Sequence, residues 1–392
     1  SGGVFLGQVP TIESKITDDF KTILSWAQKA KKIGIRANAD TSDASKLARS
    51  YGAQGIGLCR TERMFNGKDR IGLFVDMIMA KNIDERKKVL EKLGQLQKSD
   101  FIEILKAMEG YPVTIRLLDP PLHEFLPNPE ELANKLRKLE SQKSTQEANE
   151  AKTILERARD LAEINPMMGH RGVRVGVTYP EIYEMQIRAV FEAAAELANQ
   201  KVDARPQIMI PQVSSIAELN LIKRIYDEIK SEMQKKHNKK FKINFGTMIE
   251  VVRAALTANE LVNTAEFFSF GTNDLTQATF SFSREDAEGK FLPEYLDKEL
   301  LETSPFQSID VNGVGSLMKI GISSGRQIKP NLEIGICGEH GGDPRSIKFC
   351  HNIGLSYVSA SPHRIPIAIV AAAQAALETP PKTRKKKKNK KT

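Results

Sequence analysis

Three short segments of this sequence end in residues able to do chemistry. In EFFSFGTNDL, Glu266 to Leu275, an unbroken apolar run from Phe267 to Phe270 meets Gly271 and then the polar Thr272, Asn273 and Asp274. In NFGTMIEVVR the run from Phe245 to Ile249 meets Glu250, and in EIGICGEHGGD Ile334 and Ile336 lead to Cys337 and Glu339. Runs without polar alternation suit strands buried on both faces of a parallel sheet. The polar groups should therefore stand at strand C-terminal ends, the edge at which parallel α/β architectures carry their chemistry. Two carboxylates, an amide and a thiol would then share one rim.

Glu250 and Asp274 read either as joint ligands of one hard cation, with substrate oxygens completing its shell, or as two unrelated capping acids. Cys337 reads as an inert buried thiol or, beside its glycines, as a reactive one. His340 reads equally as a helper base or a turn residue. Arg60 and Arg116 lie at or near the ends of two further strands, Arg171 sits in a GHRG turn, and Arg284 lies beyond Asp274. Guanidinium forks converging on one rim would make a phosphate or carboxylate site. Any one of these arginines alone is more simply an ion-pair partner, but Arg60 and Arg116 at neighbouring strand ends favour the site.

The elements that must position these groups alternate along the chain. Asp18 to Lys32 is expected to be an amphipathic helix with Phe20, Ile23, Leu24 and Trp26 on or near one face, acting as a connector after an apolar stub at Val4 to Gly7. Strands are expected at Ile33 to Asp40, Gly55 to Glu62, Val113 to Pro120 and Pro206 to Val213, then in NFGTMIEV, FFSFGTND, EIGICGE and YVSASP. The first is followed by a helix capped by Thr41 or Ser42. Asp84 to Gly110 is helical, with a break near Gly94 and a fresh start at Ser99 or Asp100. Pro120, Pro121, Pro127 and Pro129 force an extended loop. Glu130 to Ile164 forms a helical hairpin inserted in that loop, and Pro180 to Asn199 is a further helix. About eight strands with intervening helices, and no glycine-rich nucleotide loop after a strand, favour a closed (β/α)8 TIM barrel over an open doubly wound sheet.

Length and charge narrow the classes further. The chain of 392 residues is long enough for one large barrel. Its formal charge of +9 falls to +1 once the eight Lys and Arg of Pro381 to Thr392 are set aside. The body therefore carries no nucleic-acid signature, and the last residues, 380 to 392, read as a disordered basic tail. Cys59, Cys337 and Cys350 form an odd, widely spaced set that suits a reducing compartment, with the cytoplasm expected and an organelle left open. No run is long enough to span a membrane, and no targeting signal is readable. The chain begins with Ser, and the expectation is that residues 1 to 32 connect a missing upstream domain to a barrel at 33 to 379.

The strings GIGLCRTE, VTIRLLDPPLHEFLP, NPMMGHRG, GTMIE, RAALTA, FFSFGTNDLTQ and GICGEHGGDP closely resemble the phosphoenolpyruvate/pyruvate-binding barrel of the pyruvate, phosphate dikinase family, from about Leu6 to Leu377. Phosphoenolpyruvate synthase and enzyme I of the sugar phosphotransferase system share similar pieces, but RLLDPPLHEFLP and CGEHGGDP are closer to the dikinase form.

The resemblance implies that Arg60, Arg116, Arg171 and Arg284 bind phosphate and that Glu250 and Asp274 hold Mg2+. It further implies that Gly271, Thr272 and Asn273 contact substrate and that Cys337 moves a proton at the substrate methyl carbon. The implied reaction is phosphoryl transfer between a phosphohistidine and the enolate of pyruvate. The histidine would come from a swivelling domain and ATP would be used by an ATP-grasp domain, neither of which is recognisable in this chain. Dimerisation through the barrel is also implied. Val252, Arg63 and Ala360 depart from the usual Pro, His and Cys. A barrel that binds phosphoenolpyruvate or a partner without turnover is the alternative.

Overall fold

The computed structural model describes Gly7 and residues 17 to 378, apart from Asn66 and Lys143. The expected stub at Val4 to Gly7, apart from Gly7 itself, and the basic tail lie outside the described residues. Eight strands form a closed barrel: β1 Gly34–Asn38, β2 Ile56–Arg60, β3 Pro112–Arg116, β4 Arg205–Ile210, β5 Asn244–Ile249, β6 Phe267–Phe270, β7 Glu333–Ile336 and β8 Tyr357–Ala360. Each pairs in parallel with its sequence neighbour, and β8 closes on β1 with Gly34 opposite Tyr357. The β5 and β6 strands are buried almost throughout because helices cover the outside while side chains fill the inside. All eight strands therefore deliver their C-terminal ends to one face.

Local chemistry sets the helix boundaries. Thr41 caps helix α2 (Ser42–Ser50) by accepting from the Ala44 amide, and Asp343 caps the Pro344–Asn352 helix through the Ser346 amide. Ser215 and Glu218 form a reciprocal capping box at the Ile216–His237 helix, each side chain bonding the other's backbone amide. The expected hairpin is present as α5 (Pro129–Ser141) and α6 (Thr145–Leu161).

Three local expectations are corrected. The helix expected to break near Gly94 follows α3 (Lys68–Met79) and runs unbroken as α4 (Ile83–Ala107). A Cβ on Gly94 would stand 3.2 Å from Met185, so this glycine admits the Pro180–Asn199 helix close to α4 and does not end it. The proline-rich loop is not wholly extended, since Leu122–Phe125 winds into a 3-10 turn. In α1 (Asp18–Ala30) the face turned inward carries Ala27 and the half-buried Leu24, whereas Ile23 and Trp26 are exposed, Trp26 by 64%. That helix packs against the last helix of the described residues, Ile365–Glu378.

Candidate active site

The first group on the rim is a lattice of arginines and acids. Arg60 and Arg116 are the last residues of β2 and β3 and lie opposite each other in register. Asp40, just past β1, accepts the Arg60 amide at 2.7 Å and faces Arg60 Nη1 at 3.7 Å and Arg63 Nη1 at 3.4 Å. Arg116 is buried and donates to Glu62 Oε1, while its Nη1 meets Asp119 Oδ2 at 2.8 Å. Arg171 donates to that same Asp119 oxygen, and both its terminal nitrogens stand 3.4 Å from the Asp274 carboxylate. Asp119 thus ties two guanidinium groups together, and they hold its carboxyl below the usual range despite burial that pushes it up.

This lattice is incompletely satisfied. Arg116 Nε, Arg171 Nε, Glu62 Oε2 and Asp119 Oδ1 are buried without a hydrogen-bond partner. Buried polar groups are ordinarily paired, and two orphaned guanidinium N–H donors in one cluster mark a place where an acceptor-rich anion would gain bonds.

The second group is a pair of carboxylates. Glu250, 2% exposed, follows β5, and Asp274 sits in the first turn of the Thr272–Phe280 helix. Gln212 bridges them: its amide donates to Glu250 Oε1 at 2.7 Å and its Nε2 reaches Asp274 Oδ2 at 3.3 Å. It does so with a left-handed backbone, φ +58°, which costs energy for a residue with a Cβ. Burial pushes the Glu250 carboxyl well above its usual range, and the nearby Asp274 adds to the effect. A cation between the two would remove that repulsion, and this is the fit of the site to a metal ion. Among the described residues no group of three or more His, Cys, Asp or Glu side chains gathers to hold an ion, so these two carboxylates would leave the remaining positions to substrate or water oxygens. Gly271 belongs to the same corner, because a Cβ there would strike Glu250 Oε2 at 2.5 Å.

The third group surrounds Cys337, the residue after β7. Its amide donates to Phe270 O at 3.1 Å, and its carbonyl accepts from Asn38 Nδ2 at 3.0 Å. Burial raises the thiol to about 11, opposed by Ser269 and by the charges of Arg116 and Arg60. The thiol is therefore protonated near neutral pH, ready to donate. Ser269 Oγ and the Tyr357 hydroxyl are both buried without a hydrogen-bond partner of good geometry, yet Ser269 is near enough to the Cys337 thiol and to the Tyr357 phenol to lower both.

The turn after Cys337 rests on the β6 end. Asn273 Oδ1 accepts the Glu339 amide at 3.1 Å, and Gly338 comes so close that a Cβ would stand 2.1 Å from Thr272 Oγ1. The Thr272 hydroxyl meets His340 Nδ1 at 2.7 Å, and His340 Nε2 lies 2.9 Å from the Pro305 carbonyl. A carbonyl can only accept, so Nε2 carries the proton and Nδ1 accepts from threonine. Both ring nitrogens are engaged and burial lowers the imidazole, which makes His340 a neutral brace for the turn.

The structure thus joins Arg116, Arg171, Glu250 and Asp274 in one bonded network, with Arg60 beside Arg116, and joins Thr272 and Asn273 to the Cys337 turn. Arg284 stands apart from the network. Its Nη1 and Nη2 grip Glu339 at 2.8 and 2.9 Å, and its guanidinium stacks near Phe306. Glu62, Asp119, Gln212, Ser269 and Tyr357 escaped the sequence reading. Asp119 and Glu62 were within reach of it, in RLLDP and CRTE beside the arginines. The other three carried no signal that separates them from ordinary strand or loop residues.

Residues 14–377 match the family described as PEP-utilising enzyme, PEP-binding domain. Among curated relatives, the chain is 52% identical to pyruvate, phosphate dikinase of Entamoeba histolytica, covering 97% of this chain and 43% of that protein. It is 48% identical to the Clostridium symbiosum enzyme of the same name, over 96% and 42%. Against the chloroplastic pyruvate, phosphate dikinase 1 of Arabidopsis thaliana the identity is 49%, over 95% and 38%. The chain spans about two fifths of the length of these relatives.

Proposed function

This chain belongs to the PEP-utilising enzymes, as their PEP-binding domain, and from that premise we propose that it carries out the phosphoenolpyruvate/pyruvate half-reaction of a pyruvate, phosphate dikinase. The observation that carries the reading is the convergence on one rim of an arginine cluster with orphaned buried donors, a strained pair of carboxylates and a buried, protonated thiol. Anion, cation and proton donor are the three things that phosphoryl transfer to and from an enolate needs.

In the reading, Arg116 and Arg171, aided by Arg60, hold the phosphoryl group, with their unpartnered Nε donors available to its oxygens. Arg284 joins them by exchanging Glu339 for substrate. Glu250 and Asp274 hold Mg2+, which when bound would polarise the substrate oxygen and balance charge there. Asn273 and the Gly271 and Thr272 backbone orient the three-carbon unit. Cys337 Sγ gives its proton to C3 of the enolpyruvate in one direction and recovers it from the pyruvate methyl group in the other. Recovery requires the thiolate, which the raised thiol makes scarce near neutral pH.

The rest of the reading reaches beyond this chain. The phosphohistidine and ATP-using domains lie on sequence outside it, the barrel pairs as a homodimer, and three buried unpaired cysteines support a reducing compartment such as the cytoplasm. Among the described residues no helix is long and apolar enough to cross a membrane. The domain division that goes with this reading is a connector at 1 to 32, a barrel at 33 to 379 and a basic tail at 380 to 392.

The test is transfer in trans. The chain is mixed with the isolated phosphohistidine domain of the Entamoeba histolytica relative, radiolabelled phosphoenolpyruvate and Mg2+. Label should appear on the donor histidine, and should fail to appear with Cys337→Ala. Labelling that persists without the thiol would overturn its role, and no labelling with the parent chain would overturn the half-reaction.

A further inference from the structure

The arginine lattice rests on a buried polar chain between the end of β3 and the helices outside it. Past Arg116 the backbone leaves the sheet: the Leu117 amide still donates to Met209 O at 3.1 Å, whereas the Leu118 amide turns to a side chain, Gln186 Oε1, at 2.8 Å. The Leu118 carbonyl accepts from the Tyr183 hydroxyl, also at 2.8 Å. Tyr183 and Gln186 stand three residues apart on one face of the Pro180–Asn199 helix, and both are fully buried. A backbone N–H can only donate, so the oxygen of Gln186 faces Leu118. Its Nε2 then donates to Gln97 Oε1 of α4 at 3.2 Å, and Gln97 Nε2 approaches Met64 Sδ at 3.9 Å.

Both ends of this chain lead to the acids that hold Arg116. Leu118 immediately precedes Asp119, whose carboxylate meets Arg116 and Arg171, and Met64 lies two residues after Glu62, the other acid on Arg116. The Asp119 carbonyl in turn accepts the Gly172 amide at 2.8 Å, next to Arg171. Gly176 completes the fit: a Cβ there would fall 2.5 Å from Tyr183 Cδ2, so the short helix Val173–Thr178 that follows Arg171 closes onto the tyrosine ring. Apolar side chains at 183 and 186 could fill the same space but would leave the Leu118 carbonyl and amide buried and unpaired.

We propose that Tyr183 and Gln186 are positioning residues for phosphoryl binding: by holding the carbonyl and the amide of Leu118 they set the Asp119 carboxylate between Arg116 and Arg171, and Gln97 extends the hold to the turn that bears Glu62. The inference rests on the anion-binding role proposed above for the lattice. The two residues act through Asp119. A guanidinium that donates to a displaced carboxylate is itself displaced, and two guanidinium groups shifted relative to each other no longer serve one phosphoryl group. The carboxylates of Glu250 and Asp274 are bridged by Gln212 instead, so the cation side of the site should be spared.

The experiment uses the whole chain and compares Tyr183→Phe and Gln186→Met with the parent. It measures phosphoenolpyruvate affinity with Mg2+ by titration calorimetry, affinity for Mn2+, a paramagnetic stand-in for Mg2+, by electron paramagnetic resonance without substrate, and melting temperature. Each folded variant should bind phosphoenolpyruvate about tenfold more weakly, the scale of one buried backbone group losing its partner, while Mn2+ affinity stays within about twofold of the parent. Adding Tyr183→Phe to Asp119→Ala, which cuts the tie to the arginines, should cost less than about twofold more. If Gln186→Met does not fold, Tyr183→Phe, which keeps the ring against Gly176, decides the matter. Parent-like phosphoenolpyruvate affinity in the folded variants would overturn the inference. Phosphoenolpyruvate and Mn2+ affinity falling in step would reduce the two residues to packing, and an undiminished effect of Tyr183→Phe beside Asp119→Ala would overturn action through Asp119. No binding of phosphoenolpyruvate by the parent would instead overturn the underlying reading, and the inference with it.

Discussion

Replacing Asp119 by Asn tests the arginine lattice most sharply. The change keeps the shape and one acceptor but removes the charge shared by Arg116 and Arg171, at a position 2% exposed. Breaking a buried ion pair by neutralising one partner costs about 3 to 5 kcal/mol. Here Arg116 keeps Glu62 and Arg171 keeps Asp274, so the lower end, about 3 kcal/mol, applies. At roughly 2 °C per kcal/mol for a chain of this size, the melting temperature should drop by about 6 °C. A phosphoryl dianion restores the missing charge. Saturating phosphoenolpyruvate with Mg2+ should therefore raise the melting temperature by more degrees in Asp119→Asn than in the parent. Thermal scanning fluorimetry with and without ligand measures both quantities. A melting point within a degree of the parent, or a smaller ligand-induced rise in the variant, would refute the idea that Asp119 stands in for the anion's charge.

Further outcomes follow from the same geometry. The folded Glu250 carboxyl is raised, so its burial is free below its ordinary value near 4.5 and costs stability as pH climbs through the folded value. Glu250→Gln, which can still accept from the Gln212 amide, should therefore melt no lower than the parent at pH 8 while losing the Mg2+-dependent rise, as calorimetry at pH 5 and 8 would show. Gly338→Ala should cut exchange at the pyruvate methyl group at least tenfold, because its Cβ falls 2.1 Å from Thr272 Oγ1 and would push the Cys337 turn off the β6 end; a crystal structure or parent-like rate would expose an error. Glu339→Gln should release Arg284 and tighten phosphoenolpyruvate binding a few-fold by titration calorimetry. Its effect on stability should be under about 1 kcal/mol, since the Glu339 side chain is more than half exposed.

The barrel was legible because both-face burial writes itself as unbroken apolar runs, and the polar residue ending each run marks the rim. Glu250, Asp274 and Cys337 could be found that way. What stayed hidden depends on contacts between distant segments. Gly94 looked like a helix breaker because its use, a close approach by Met185, is invisible along one helix. Arg284 counts as one more rim arginine in sequence, and only the fold shows it gripping Glu339. Gln212 bridges two carboxylates from a left-handed conformation that its side chain does nothing to advertise. His340 could have been a base until both nitrogens were seen to be engaged.

In the proposed half-reaction this rim moves a proton at the substrate methyl carbon. Its most direct test is deuterium uptake into pyruvate by this chain in heavy water with Mg2+, followed by nuclear magnetic resonance. Uptake should require Mg2+, rise with pH toward the thiol value of about 11, and disappear in Cys337→Ala while phosphoenolpyruvate still binds. Uptake that is unchanged without the thiol, or flat across pH, would contradict it.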